Sequence, residues 1–120
     1  MNREPEQKNA RIEGTKLGWD RGFFNCWLFL NYGGCSQGFG GCALDSKPKE
    51  RGDERGPTAY GMAFITGVMR AVGVEKWEDL KGKYVRVVAD GGSVYKIGHI
   101  TENKWFDPKD IEGMVNKDSE

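Results

Sequence analysis

Residues 83–100, KYVRVVADGGSVYKIGHI, predict a β-hairpin. The first arm, 83–89, is rich in β-branched valine and alternates in polarity, as a half-buried strand requires. Asp90-Gly91-Gly92-Ser93 is typical of a tight turn, and 94–100 returns as the partner strand. Strands joined by so short a turn run antiparallel. The hairpin therefore predicts that the sheet of this protein is antiparallel.

Three more strands are predicted before the hairpin, at 9–19, 23–30 and 35–45. Two turn signals separate them, Asp20-Arg21-Gly22 and Asn31-Tyr32-Gly33-Gly34. Many of the 18 glycines of the chain lie in this part, mixed with aromatic residues. Such a mixture is typical of strands with tight turns and bulges and argues against a flexible linker.

A single main helix is predicted from Pro57 to Val72. Proline suits the first helical turn, where its missing N–H is not needed, and Gly73 suits a left-handed C-terminal cap. Apolar residues recur at helical spacing, which predicts one buried stripe along the helix. The stripe consists of Met62, Ile65, Met69 and Val72, widened by Phe64 and Val68.

The element order β-β-β-α-β-β predicts an α+β fold, with a mainly antiparallel sheet of about five strands and one main helix packed on one face. A chain of 120 residues has the usual size of one domain. We expect that domain to span 9–111. Residues 1–8 are expected to be a disordered tail and 112–120 a polar C-terminal tail, because both segments are charged and lack periodicity.

The predicted strand at 23–30 is apolar on both of its faces. Alternation places Phe24, Cys26, Leu28 and Leu30 on one face, and Phe23, Trp27 and Phe29 on the other. One helix covers only one face of a sheet. We therefore expect the second face to pair with another copy of the chain.

The balance between basic and acidic residues argues against a nucleic-acid partner. Lys plus Arg and Asp plus Glu both number 18, so the formal net charge is zero. A protein that binds nucleic acid usually carries a basic excess, so no nucleic-acid partner is expected.

The first residues have no apolar signal region, and no stretch approaches the roughly 20 apolar residues of a membrane span. We expect a cytoplasmic protein without a membrane partner.

Metal and cofactor sites are not expected. The three cysteines, Cys26, Cys35 and Cys42, are read as reduced thiols, and no C-x-x-C pair indicates zinc. A glycine-rich segment, Gly38-Phe39-Gly40-Gly41, lacks the Lys-Ser/Thr that a phosphate loop requires. Bulges in a strand explain these glycines better.

Catalytic residues are scarce. His99 is the single histidine, and no nucleophile elbow or metal-binding histidine pair accompanies it. A lone histidine on a strand is most often structural. The sequence therefore predicts a binding protein and no catalytic residues.

The candidate ligand site is the segment Asn103, Lys104, Trp105, Phe106 and Asp107, with Arg55 as a further candidate phosphate contact. A flat ring beside an ammonium group suits a nucleotide, since a base stacks on the ring and the cation meets a phosphate. The alternative is that both rings of this segment close the hydrophobic core.

Three stretches carry a resemblance that covers most of residues 12–108: TKLGWDRGFFNCWLFLNYGGCSQGFGGCALD, GPTAYGMAFITGVMRAVGVEKWEDLKGKYVRV and IGHITENKWFDP. Together they resemble a family of short bacteriophage and prophage proteins, and within it the first type of Thoeris anti-defence protein. The resemblance implies a protein that sequesters a cyclic nucleotide or cyclic ADP-ribose-type immune signal in the host bacterial cell, without degrading it. It also implies assembly as dimers or trimers of dimers.

Two other functions remain open from the sequence. The protein is alternatively an anti-CRISPR-like inhibitor that binds a host defence protein, or a small enzyme that degrades a signal nucleotide with His99 as acid or base. A tight complex would release intact nucleotide on denaturation, whereas an enzyme would release an altered one.

Overall fold

The computed structural model describes residues 6–46, 55–90 and 93–113. Within these ranges the chain forms eight strands and one α-helix, with short 3₁₀ turns at Trp77–Asp79 and Pro108–Ile111. The strands are β1 (Glu6–Asp20), β2 (Phe23–Tyr32), β3 (Cys35–Gly40), β4 (Asp45–Ser46), β5 (Gly56–Pro57), β6 (Tyr84–Asp90), β7 (Ser93–His99) and β8 (Trp105–Phe106). The helix, α1, is Ala59–Val72.

Six strands form one sheet in the order β3-β2-β1-β6-β7-β8, and β4 pairs with β5 separately. All pairs are antiparallel. The predicted α+β fold, with a mainly antiparallel sheet and one main helix, is confirmed. The large sheet has six strands where about five were expected, because the residues after the last hairpin add β8: Phe106 pairs with Ile97, and Trp105 with Gly98.

Strand β1 is longer than the sequence indicates. It begins at Glu6, so residues 6–8, which were assigned to a tail, pair with Ala89, Val88 and Val87 of β6. Backbone hydrogen bonds hold these residues, and such bonds do not need apolar side chains. The rest of the predicted tails, 1–5 and 114–120, lies outside the described residues.

Strand β3 is shorter than the predicted strand at 35–45. It ends at Gly40, where φ is +112°, and Gly41 follows at +85°. A side chain at Gly40 would also collide with the carbonyl oxygen of Cys26. The chain leaves the ladder at these two glycines and returns as β4 beside the start of β2.

The large sheet curls around the core until β3 contacts β7, although three strands separate them in the sheet. We call the concave face, on which α1 packs, the inner face, and the opposite face the outer face. The fully buried inner side chains of the sheet are Ile12, Cys26, Leu28, Leu30, Val85, Val87 and Ile97. The outer face carries Phe23, Trp27 and Phe29, as the alternation along β2 predicts.

Helix α1 begins two residues later than predicted, with Thr58 as its N-cap, and its predicted cap Gly73 is confirmed with φ of +91°. Its buried side matches the predicted stripe in part: Phe64, Val68 and Val72 are buried, and Ile65 and Met69 are half-buried. The buried residues are Tyr60, Gly61, Phe64, Val68, Ala71 and Val72, and Met62 is 64% exposed. Apolar residues occur on most sides of this helix, so periodicity alone did not choose the side that faces the sheet.

Candidate functional site

The two rings of the predicted ligand segment are structural. Phe106 is buried between Phe39 and Phe64, at 6.3 and 5.0 Å between ring centroids. Trp105 lies so close over Gly98 that a Cβ there would be 2.5 Å from the ring. The guanidinium of Arg86 and the ammonium of Lys96 lie 4.8 and 5.1 Å from the Trp105 ring. The Trp105 ring therefore already makes cation–π contacts with two side chains of the protein itself.

The polar members of the segment have local partners. Lys104 Nζ lies 3.4 Å from a carboxylate oxygen of Glu102, and Asn103 is exposed. The Asp107 carboxylate accepts a hydrogen bond from the Lys109 backbone N–H at 3.0 Å and caps the following 3₁₀ turn. None of residues 103–107 lines the groove that contains Arg55.

His99 also has a structural environment. Its Nδ1 accepts hydrogen bonds from the backbone N–H groups of Thr101 and Glu102, at 3.1 and 3.0 Å. Its Nε2 lies 3.3 Å from a carboxylate oxygen of Glu102. The imidazole thus organises the turn between β7 and β8.

Arg55, the remaining candidate, lines an open groove of about 340 Å³ between the tip of the β1–β2 hairpin and the first turns of α1. We call it the hairpin–helix groove. Its principal lining residues are Trp19, Phe24, Arg55, Pro57, Met62 and Ile65. The volume lies within the range of small-molecule sites, and the walls are mainly apolar with a few polar groups, as such sites usually are.

The hairpin turn creates one wall of this groove. Arg21 and Gly22 have positive φ values of 53° and 91°, as a type I′ turn requires. The hairpin places Trp19 opposite Phe24, and the two rings meet edge to face at 5.2 Å. Trp19 remains 64% exposed. A tryptophan directly before a tight turn is the signal in the sequence for this wall, and it was not among the predicted site residues.

The polar part of the groove is an ion pair between Asp45 and Arg55. Arg55 Nε lies 2.7 Å from Asp45 Oδ2, and Nη2 lies 3.0 Å from Oδ1. The Phe24 backbone N–H also donates to Oδ1 at 3.0 Å. Nη1 of Arg55 makes no hydrogen bond to any residue that the structure describes. Asp45 thus fixes the guanidinium in place through two of its three nitrogens.

The start of α1 is tied to the same segment. The Thr58 hydroxyl donates to the Leu44 carbonyl at 2.6 Å and accepts from the Gly61 backbone N–H at 2.9 Å. Gly61 packs directly against Leu44, where a Cβ would collide with the carbonyl oxygen. These contacts set the width of the hairpin–helix groove at its base.

The Asp45–Arg55 pair predicts a pH dependence of stability. Hydrogen bonds from Arg55 lower the pKa of Asp45 below its ordinary 3.8, although burial opposes the shift. Because the folded pKa is below the unfolded one, this stabilisation is complete above about pH 4 and is lost as the pH falls through the folded value. Thermal melts of the wild type and Asp45→Asn should therefore differ most at neutral pH and converge in acid. A constant difference across that range would contradict the assignment.

Within the part of the chain that the structure describes, the thiols and the metal-ligating groups form no further site. Burial raises the pKa of the Cys26 thiol to about 12, which makes it unreactive. Cys42 is exposed, and its sulfur lies 3.4 Å from the Tyr60 hydroxyl. No group of three or more His, Cys, Asp or Glu residues able to hold a metal occurs in residues 6–46, 55–90 and 93–113.

Comparisons of the chain with protein-family models, curated proteins and solved structures give no match. Among the described residues, no helix has the length and apolar character needed to cross a bilayer.

Proposed function

We propose that this protein binds and sequesters a cyclic nucleotide-type signal in the hairpin–helix groove, without changing it chemically. One observation carries the proposal: a largely exposed tryptophan ring and a fixed guanidinium line the same open groove. A base stacks on the Trp19 ring, and Arg55 Nη1 donates to a phosphate oxygen. Met62, equally exposed, supplies an adaptable apolar contact to the ligand.

The chemistry of the groove favours binding over turnover. Among the described residues that line the groove, the one carboxylate is that of Asp45, which is paired with Arg55 and has a lowered pKa. A general base works best with a pKa near the operating pH, so Asp45 is a poor base at neutral pH. In this proposal the protein acts in the cytoplasm of a bacterial host, where holding the signal keeps it from its receptor.

Substitution of Trp19 tests the site. A thermal-shift screen against cyclic nucleotides and cyclic ADP-ribose isomers identifies the ligand, and titration calorimetry then compares variants. Trp19→Ala should weaken the free energy of ligand binding by about 1–3 kcal/mol, the usual contribution of base stacking on an aromatic ring. The free energy of unfolding should change little. Lys104→Ala is the matched control and should bind as the wild type does. The opposite pattern, with Lys104 required and Trp19 dispensable, would place the ligand at 103–107.

Analysis of the bound nucleotide tests sequestration against degradation. After denaturation of the complex, the proposal expects intact ligand. Recovery of an altered nucleotide, abolished by His99→Ala, would support the enzyme instead.

The outer face of the sheet supports self-association as part of this proposal. Phe29 is 43% exposed, and its ring stacks beside that of Trp27, which lies flat on Gly38 and Gly41. Together with Phe23 these rings form an apolar surface that a second copy would bury.

Light scattering at micromolar concentration should therefore show a dimer or a multiple of dimers, and Phe29→Asp should give a monomer. Met62→Asp makes the same change on the helix side and should leave the assembly intact. A wild-type protein that is purely monomeric would contradict self-association. The apolar outer face would then favour the anti-CRISPR-like alternative, in which it binds a host defence protein.

A further inference from the structure

A second groove lies along β1, near the point where β2 and β6 pair with β1 from opposite sides. We call it the bulge groove, because the register shift between Ile12 and Gly14 inserts Glu13 beside it. Its volume is about 360 Å³. Its polar and exposed lining residues include Asn9, Arg11, Glu13, Asn31 and Tyr84.

The strand register brings these residues together. Arg11 pairs with Asn31 of β2 on one side and with Tyr84 of β6 on the other. Directly paired residues in a sheet project from the same face. Arg11 is therefore flanked in the sheet by an amide-bearing residue and by an aromatic residue on the same face, on a rigid strand.

Two of these side chains are exposed. Arg11 is exposed and forms no hydrogen bond or ion pair with any residue in the described ranges. Tyr84 is 60% exposed. A guanidinium binds phosphate oxygens through two parallel N–H groups, and a phenol ring accepts a flat base by stacking.

The remaining groups add hydrogen-bond acceptors. Asn31 Nδ2 donates to Glu13 Oε1 at 2.9 Å, which leaves the Asn31 carbonyl oxygen and Glu13 Oε2 as acceptors. A carboxylate oxygen accepts from amino groups on a base edge. The groove thus offers a cation, a stacking ring and acceptors for N–H donors.

We propose that the bulge groove is a second ligand site, which binds a mononucleotide whose base edge presents N–H donors, such as guanine. The base stacks on Tyr84 with its N–H groups toward Glu13 and Asn31, and the phosphate meets Arg11. This site shares no residue with the hairpin–helix groove and does not depend on the function proposed for it.

Calorimetry of the full chain with guanosine 5′-monophosphate, guanosine and inorganic phosphate tests the site. The nucleotide should bind saturably in the millimolar range or below. Arg11→Ala should weaken its binding on the order of 10- to 100-fold, the worth of a charged hydrogen bond, and should leave guanosine binding unchanged. Tyr84→Ala should weaken both the nucleotide and guanosine. Lys16→Ala removes a positive charge from the same strand and should have no effect.

Several results would overturn the proposal. Absence of saturable nucleotide binding, or wild-type affinity in Arg11→Ala, excludes the site. Inorganic phosphate binding as tightly as the nucleotide excludes base recognition. Loss of nucleotide binding in Trp19→Ala but not in Arg11→Ala moves the nucleotide to the hairpin–helix groove. Melting temperatures confirm that each variant is folded, as expected for exposed side chains.

Discussion

Replacing Phe64 with alanine is expected to lower the free energy of unfolding by about 3–5 kcal/mol, the usual cost of removing a buried phenylalanine. Phe64 is 1% exposed and joins α1 to two strands of the sheet. Its ring lies 5.9 Å from that of Phe39 on β3 and 5.0 Å from that of Phe106 on β8. The truncation leaves a cavity at the centre of this aromatic cluster. Urea denaturation followed by fluorescence measures the loss.

Met62→Ala is the matched control for this experiment. It shortens an apolar side chain two residues away on the same helix, but Met62 is largely exposed, so the change should stay within about 0.5 kcal/mol. The pair of variants thus tests the rotation of α1 about its axis. A costly Met62→Ala with a mild Phe64→Ala would restore the stripe that periodicity predicts.

Gly61→Ala is expected to destabilise the protein by about 2–3 kcal/mol, because the added methyl group overpacks a backbone contact. The collision is with the carbonyl oxygen of Leu44, which cannot move aside as a flexible side chain would. Relief of the collision separates α1 from this segment and weakens the hydrogen bond from Thr58 to the same carbonyl. The gain in helix propensity from glycine to alanine, about 1 kcal/mol, only partly offsets this cost. The melting temperature should fall on the order of 10 °C.

Gly18→Ala provides the comparison, since a Cβ at Gly18 would meet no atom within 4 Å. Its melting temperature should stay close to that of the wild type. If Gly61→Ala were as stable as Gly18→Ala, α1 would not be docked on Leu44 as described. Because Gly61 also lines the hairpin–helix groove, a folded Gly61→Ala protein should bind the groove ligand more weakly.

The sequence alone determined the elements that depend on neighbouring residues. The hairpin arms within 83–100 follow from alternation, and so does the apolar character of both faces of β2. The helix capped by Gly73 follows from helical periodicity and from the left-handed freedom of glycine. The antiparallel α+β class followed because short turns leave consecutive strands few other ways to pair. Arg55 was selected from the sequence only as a candidate phosphate contact.

The tertiary structure alone decided which surfaces are free. Trp105 and Trp19 look alike in the sequence, since each lies near a turn and beside charged residues. The ring of Trp105 packs on Gly98 and lies close to the cations of Arg86 and Lys96. The ring of Trp19, in contrast, lines an open groove together with Arg55. The rotation of α1 and the position of Arg55 on Asp45 were likewise fixed by contacts between distant residues. Local periodicity carries no information about such contacts, because they depend on how the sheet curls around the core.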